Sequence, residues 1–412
     1  MQRRVAYCEV PKLAGVYTFA VSLSDPLAKL GYDLRLVGVG PQAESDYAHR
    51  LAVLPADVLA PDTDDITAQR EAFLRWLRDE AIDIVMISGS ETEQRLIPAL
   101  PPDIRVVSVV NNATRGHYRV ATAHHERIHR LVCLSPRLER DIADYHRVPE
   151  HKVQLIPYGI DVRAFRGNRA AKRHGASASE PLRVLYFGRM CDSAKGIFLI
   201  PKILAHVEKA GVPFHLTVIG DGPDTPRFLS LIEQGGFSDR CTYRDMLRYD
   251  RVGDELSRHD VMVMPSRHEG LGLVLLESMA AGCVPIASRL KGVTDYVISD
   301  ERQGVLCRVG RADEFAAAIV ALAGDRVRLS RMAEAATARV EAEFTAERMA
   351  SRYVELFDTI MKEPSLARPP PVVTTGRFGP VVQPFLAACR RAVPVLVKNV
   401  VRTVCERAGW TV

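Results

Sequence analysis

Val261-Met262-Val263-Met264-Pro265-Ser266-Arg267-His268-Glu269-Gly270-Leu271-Gly272-Leu273-Val274-Leu275-Leu276-Glu277-Ser278-Met279-Ala280-Ala281-Gly282-Cys283-Val284-Pro285-Ile286-Ala287-Ser288 is the stretch on which the reading of this 412-residue chain turns. A short apolar run ends at Pro265, a loop bearing Gly270 and Gly272 follows, and a helix opens near Leu273. A second strand-like run, 284–288, comes next. Strand, loop, helix and strand at this spacing predict a βαβ unit, whose strands are parallel.

The same alternation continues on either side. Strand-like runs are expected at 4–8, 33–39, 82–87, 105–110 and 130–135, then at 183–187, 215–219, 261–264 and 284–288. Helix-length amphipathic pieces lie between them, for example 67–80, 197–210 and 311–322. Such a pattern predicts parallel sheets covered on both faces. Periodicity breaks over 167–181, where Gly, Asn, Ala, Ser and charge replace it. The expected fold class is therefore α/β: two Rossmann-like, doubly wound parallel-sheet domains facing across a cleft, with ligands bound beyond the carboxyl ends of the strands. The first domain is read as 1–166 and the second as 181–342. A closing helix, 343–361, returns to the first, and a separate tail covers 377–412.

Composition narrows the function classes. The chain is 47% hydrophobic and 25% charged, and no apolar run approaches the ~20 residues a membrane span needs. No apolar signal segment precedes the first strand, and the eight cysteines stand singly, without metal-site or redox spacing. A cytoplasmic protein is expected. The formal net charge of +5 resides in the tail, where Arg377, Arg390, Arg391, Lys398, Arg402 and Arg407 face one acid, Glu406. The body is balanced, which argues against a nucleic-acid partner. The tail's apolar residues Cys389, Val393, Leu396, Val397, Val400 and Val404 share a helical face, interrupted by Pro394. That pattern fits peripheral contact with an anionic membrane, or packing of the tail on the fold.

Three motifs of the second half carry chemistry. Tyr186-Phe187-Gly188-Arg189, with Lys195-Gly196 after it, places a planar guanidinium and a compact ammonium beside one turn, a combination suited to a diphosphate. Solvated loop cations are the plainer reading. Ile219-Gly220-Asp221-Gly222-Pro223 ends a strand in glycines, which suits a sharp turn or close approach to a ligand. In the opening stretch, the free N–H groups at the start of the helix form an anion site. Glu269 sits just before that site and Glu277 about two turns into the helix. Carboxylates beside a diphosphate serve to accept hydrogen bonds from sugar hydroxyls. Their plainer reading is a helix-dipole acid and an exposed helix residue, but Leu275, Leu276, Met279 and Ala280 give Glu277 an apolar setting.

Together these elements resemble the nucleotide-sugar half of the retaining GT-B glycosyltransferases of family 4, the glycosyl transferases group 1. Ile156-Pro157-Tyr158-Gly159-Ile160-Asp161 resembles the family's interdomain segment, with Tyr158 where Asn is usual. The likeness covers most of 1–361 and is strong over 156–306. It implies that Arg189 and Lys195 hold the donor diphosphate and stabilise leaving-group charge. Glu277 would take the ribose hydroxyls and Glu269 those of the transferred sugar. Backbone at Gly188, Gly220, Gly270, Leu271 and Gly272 would complete the donor contacts. Gly15 in Lys12-Leu13-Ala14-Gly15 stands where the family has a glycine pair, with Ala14 replacing one member. Asn111 stands where the family commonly has His, and is expected to make a polar contact. Asp295 occupies a position where Glu is usual. His117, His124 and His125 lie downstream of Asn111 and are read as surface or structural.

The resemblance further implies a nucleotide-diphosphate-sugar donor as substrate, no metal or other cofactor, retention of configuration, and a saccharide or lipid-linked acceptor. A catalytically inactive nucleotide-sugar-binding protein is the alternative from another class. A dehydrogenase is disfavoured, because Pro11-Lys12-Leu13-Ala14-Gly15 is not a G-x-G-x-x-G turn.

Overall fold

The computed structural model describes residues 2–9, 15–41, 54–89, 91–146, 148–165 and 180–366. Lys12, Leu13 and Ala14, most of the 167–181 break, and the tail from 377 lie outside the described residues.

Two all-parallel sheets form the body. The first has seven strands in the order β3-β2-β1-β4-β5-β6-β7. These are β1 (Arg3–Cys8), β2 (Tyr32–Val39), β3 (Ala56–Leu59), β4 (Ile84–Ile87), β5 (Arg105–Val110), β6 (Arg130–Cys133) and β7 (Val153–Leu155). The second has six strands in the order β10-β9-β8-β11-β12-β13. They are β8 (Leu182–Phe187), β9 (Phe214–Ile219), β10 (Cys241–Arg244), β11 (Val261–Met264), β12 (Val284–Ser288) and β13 (Val305–Cys307). This is the GT-B arrangement. Every residue of β4, β5, β11 and β12 is buried. Helices cover both faces of a parallel sheet, so its central strands become continuous apolar runs.

Each sheet reverses its strand order once, between β1 and β4 in the first and between β8 and β11 in the second. Loops leaving the carboxyl ends on either side of such a reversal diverge and open a crevice. The loops that matter below are those after β8 and β11 at the second reversal, that after β4 at the first, and that after β5, the neighbour of β4.

The chain finally returns to the first sheet. Thr345 bridges to Ile160, and its side chain caps the helix Ala346–Lys362 by accepting the Arg348 N–H. That helix lies along Gly15–Lys29, with Tyr353 against Phe19 at 5.8 Å between ring centres. Tyr32 donates to Asp358 Oδ1 at 2.6 Å. The return also ties down the base of the first sheet, since Arg105 Nε donates to the Ile360 carbonyl at 2.9 Å.

Candidate active site

The chemistry gathers at the reversal of the second sheet. After β8, the chain passes Gly188 and Arg189 and forms one helical turn, Asp192–Lys195. After β11, it passes Pro265 and reaches Glu269. Because β8 and β11 are neighbours, Lys195 and Glu269 meet, with Nζ to Oε1 at 2.6 Å. Ser266 Oγ donates to the same carboxylate oxygen at 2.7 Å. Glu269 is 6% exposed, so this ion pair stands at the wall of the crevice rather than in open water. Arg189 is exposed, and no hydrogen bond or ion pair holds its guanidinium among the described residues. A paired ammonium and a free guanidinium therefore flank one turn.

The helix Leu273–Ala280 begins on Gly272 with no side-chain cap, leaving its first backbone donors for water or ligand. Leu271 is buried and holds the loop down. Glu277, two turns along, is 4% exposed and accepts no hydrogen bond among the described residues. Burial pushes its carboxyl up to about 8, because the low-dielectric surroundings disfavour the anion. An uncompensated buried acid is costly in a structural role. It suits a group that receives hydrogen bonds from a ligand. Tyr249, whose own hydroxyl is raised by burial and by the nearby Glu277, lies beside it and reaches Ser22 Oγ of the first half at 3.3 Å.

Gly270 joins the two halves. A Cβ there would lie 1.9 Å from the Asn111 carbonyl oxygen, so only glycine lets the loop after β11 rest on the loop after β5. Asn111 is thus brought to the site by its backbone, while its amide faces inward. Asn111 Nδ2 donates to Ser88 Oγ at 2.6 Å, and Tyr158 Oη donates to Asn111 Oδ1 at 3.3 Å. Two of the positions that depart from the family's usual residues, 111 and 158, touch each other. Sequence reasoning noted both but had no signal for their contact across 47 residues.

Other residues fall as follows. Gly15 opens the helix Gly15–Lys29, and a Cβ there would sit 3.8 Å from Leu273, at the seam with the donor-side helix. Gly220 packs on Gly188: a Cβ on Gly220 would meet the Gly188 carbonyl oxygen at 2.0 Å, whereas one on Gly188 would meet only the Tyr186 side chain, at 3.7 Å. Asp295 accepts the Gly292 N–H at 2.6 Å and closes its own turn. His117 pairs with Thr114 Oγ1 through Nδ1 at 3.0 Å, and burial lowers its pKa. Its ring lies against Gly89, at the exit of β4. Ser266, Asp192 and Asp224 were missed as participants. Ser266 lies within the 261–288 stretch, whereas Asp224 follows directly on the 219–223 motif. Among the described residues no group of three or more His, Cys, Asp or Glu could hold a metal ion, and no helix is long and apolar enough to cross a membrane.

Comparison with known proteins agrees with this arrangement. Residues 181–325 match the family model "Glycosyl transferases group 1", and residues 13–164 match "Glycosyltransferase Family 4". Among curated relatives, the N-acetyl-alpha-D-glucosaminyl L-malate synthase of Bacillus anthracis is 27% identical over 220 residues, 52% of this chain and 56% of that protein. The alpha-D-kanosaminyltransferase of Streptomyces kanamyceticus is 28% identical over 229 residues, 56% of this chain and 53% of that protein. The match thus spans about half the length of these relatives. Among solved structures, Anabaena HepE in complex with UDP-glucose superposes with a TM-score of 0.74 at 15% identity, covering 87% of this chain and 100% of that one. Sucrose-phosphate synthase from Thermosynechococcus elongatus gives 0.71 at 20% identity, covering 87% and 99%. On a GT-B fold, this chain carries in its two halves the sequence patterns of glycosyltransferase family 4 and of the group 1 glycosyl transferases.

Proposed function

We propose that the protein is a retaining, metal-independent glycosyltransferase that moves a sugar from a nucleotide-diphosphate donor to an acceptor hydroxyl. The observation that carries this reading is the Lys195–Glu269 pair at the β8/β11 reversal, beside Arg189, which has no side-chain partner among the described residues. Arg189 and Lys195 hold the diphosphate and stabilise charge on the departing oxygen as the glycosidic bond breaks. Two cations and the start of the helix Leu273–Ala280 supply the charge compensation that a divalent ion supplies elsewhere. Glu269, released from Lys195 when the diphosphate arrives, accepts hydrogen bonds from the transferred sugar. Glu277 takes the ribose hydroxyls. The acceptor oxygen bonds to the anomeric carbon on the face the diphosphate leaves, and its proton passes to the leaving phosphate oxygen. No protein base is needed. The glycosidase logic of two paired carboxylates does not apply to Glu269 and Glu277.

A second reading, a nucleotide-sugar binder without transfer, is favoured by one observation: both ends of the Asn111 amide are engaged by Ser88 and Tyr158. One experiment separates the two. UDP-, GDP- and ADP-sugars are screened for a rise in melting temperature, and the stabilising donor is then followed for turnover. Stabilisation with release of nucleoside diphosphate supports the transferase. Stabilisation without any transfer or hydrolysis supports the binder, and a chain that none of the donors stabilises refutes both.

A further inference from the structure

The glycines after β9, whose sequence reads as a sharp turn or a close approach to a ligand, pack on the turn after β8. A Cβ on Gly220 would strike the Gly188 carbonyl, and one on Gly222 would lie 2.4 Å from the Met190 carbonyl oxygen. The turn after β9 is packed backbone to backbone on the turn that carries Arg189. Hydrogen bonds stitch the contact: Gly188 N to Ile219 O at 3.0 Å, Met190 N to Asp221 O at 2.9 Å, and Asp224 N to Met190 O at 3.0 Å.

Asp224 completes this seam in an unusual way. It occupies the N-cap position of the helix Thr225–Gln234, where an aspartate ordinarily accepts an N–H of its own helix. Here it makes no such bond. Its Oδ2 instead accepts the Asp192 N–H across the seam at 2.7 Å. Asp192 is the first residue of the single turn that ends in Lys195. Its own carboxylate spans that turn, with Oδ1 accepting the Phe198 N–H at 2.8 Å and Oδ2 lying 3.6 Å from the Arg267 guanidinium. The loop after β11 grips the other side, where Arg267 N and His268 N both donate to the Ala194 carbonyl, at 2.8 and 3.3 Å.

A four-residue turn has almost no helical stability of its own. Its place is set by what holds its ends. We propose that Asp224 is a positioning residue for the donor site: it fixes the start of the Lys195 turn, and through it the spacing of Lys195 from Arg189 and Glu269. The turn after β9 then acts on the diphosphate only through the turn after β8. This rests on the reading of Arg189 and Lys195 as the diphosphate cations. A displacement of ~1 Å at a reacting group costs about 100-fold in rate, so loss of the anchor is expected to show in turnover.

The test uses the full chain with Asp224→Ala, Asp224→Asn and Lys195→Ala. Binding of UDP, GDP and ADP is measured by calorimetry, and kcat by release of nucleoside diphosphate from the preferred donor. Asp224→Ala is expected to weaken the tightest of the three diphosphates and to lower kcat by about 10- to 100-fold. Asp224→Asn keeps an oxygen that accepts the Asp192 N–H, and is expected to recover both quantities. Both variants are expected to melt close to the wild type, because this half-buried carboxylate leaves its own helix uncapped and accepts a single N–H of a one-turn segment. Equal impairment of Asn and Ala variants overturns the proposal, as does a fall in melting temperature that accounts for the lost binding. So does wild-type behaviour of Asp224→Ala when Lys195→Ala is impaired. If Lys195→Ala itself binds and turns over normally, the underlying assignment of the site falls, and this inference falls with it.

Discussion

The two sheets reverse their strand order in the same manner, yet the loops at the two reversals are furnished differently. In the second sheet the polar groups converge and stay available. Among the described residues, Lys195 pairs only with a carboxylate that a ligand can replace, Arg189 has no side-chain partner, and Glu277 is buried without a hydrogen-bond partner. At the first sheet, Glu93 and Asn111 are tied to their own scaffold, while Asn112 Oδ1 and Gln94 Oε1 are buried without a hydrogen-bond partner among the described residues. Glu93 accepts the Val39 N–H at 3.1 Å, and Asn111 is held at both ends of its amide. Polar groups satisfied within the protein give rigidity. Polar groups left without partners are stabilised only when a ligand supplies them. On the proposed function, the charged donor binds at the second sheet and the first is the wall against which it is presented.

The largest expected effect tests that division directly. Arg189→Ala and Lys195→Ala are each expected to lower transfer by about 10²–10³-fold while the melting temperature holds, since leaving-group charge loses a partner. Turnover assays with a thermal melt decide it, and wild-type rates from both folded variants would remove the second sheet's claim to the chemistry. Chelation is expected to leave the wild-type rate unchanged. Activity lost to a chelator and restored only by Mg²⁺ or Mn²⁺ would show that the two cations do not suffice.

The two glutamates sharpen the comparison within the donor side. Glu277→Ala is expected to weaken binding of the free nucleoside diphosphate by about tenfold, the worth of a good hydrogen bond to a buried group. Glu277→Gln is expected to do less, because a carboxyl raised to about 8 by burial is largely neutral at pH 7. Glu269→Gln is expected to spare the free diphosphate and impair transfer. Calorimetry and kinetics showing the reverse pattern would exchange their roles.

The same contrast governs what the sequence disclosed. All nine strands read from the sequence are present, with ends shifted by a residue or two. The four missed are β3, β7, β10 and β13, and each is an outer strand of its sheet. An outer strand is covered on fewer sides, so β3 and β7 have only half-buried residues and lack the continuous apolar run that marks β11 or β5. The site divides likewise. Residues within one loop, such as Ser266 to Gly272, are legible because their spacing is local. Asn111 with Tyr158, and Asp192 with Asp224, meet only through the order of the strands, and nothing in either segment alone announces the contact.

The seam between the halves offers a smaller effect. Gly270→Ala places a methyl group where the Asn111 carbonyl stands, and one loop must retreat. Overpacking of this kind costs about 1–3 kcal/mol. A thermal melt is expected to fall accordingly, whereas Gly236→Ala, at a position with a positive φ of 71° where an added Cβ has no neighbour within 4 Å, tests backbone strain alone. Equal losses at both would mean that the close approach of the halves contributes nothing beyond ordinary strain.

The smallest expected effect, taken per pH unit, is a pair of opposed slopes, one from each half. In the first, His129 is 1% exposed and accepts the Val106 N–H through Nδ1 at 3.1 Å, so the ring is neutral. Burial, with Arg105, Arg127, Lys152 and Arg130 nearby, lowers its pKa to about 3. Between about 6.5 and 3 the unfolded chain holds a proton on this residue that the native one refuses. Native stability is therefore lost as pH falls through that window. In the second half Glu277 does the opposite. Its native pKa of about 8 lies above its unfolded value, so between about 4.5 and 8 the native state holds the extra proton, and stability is lost as pH rises. Each slope is at most about 1.4 kcal/mol per pH unit. Denaturant unfolding at pH 5 and pH 8 is expected to show Glu277→Gln gaining on the wild type at the higher pH only. His129→Gln is expected to flatten the decline below pH 6 and leave the alkaline side unchanged. If both variants instead shift stability by the same amount at every pH, neither group titrates as its burial requires. The contrast between the unpartnered Glu277 and the engaged Asn111 would then have to rest on geometry alone.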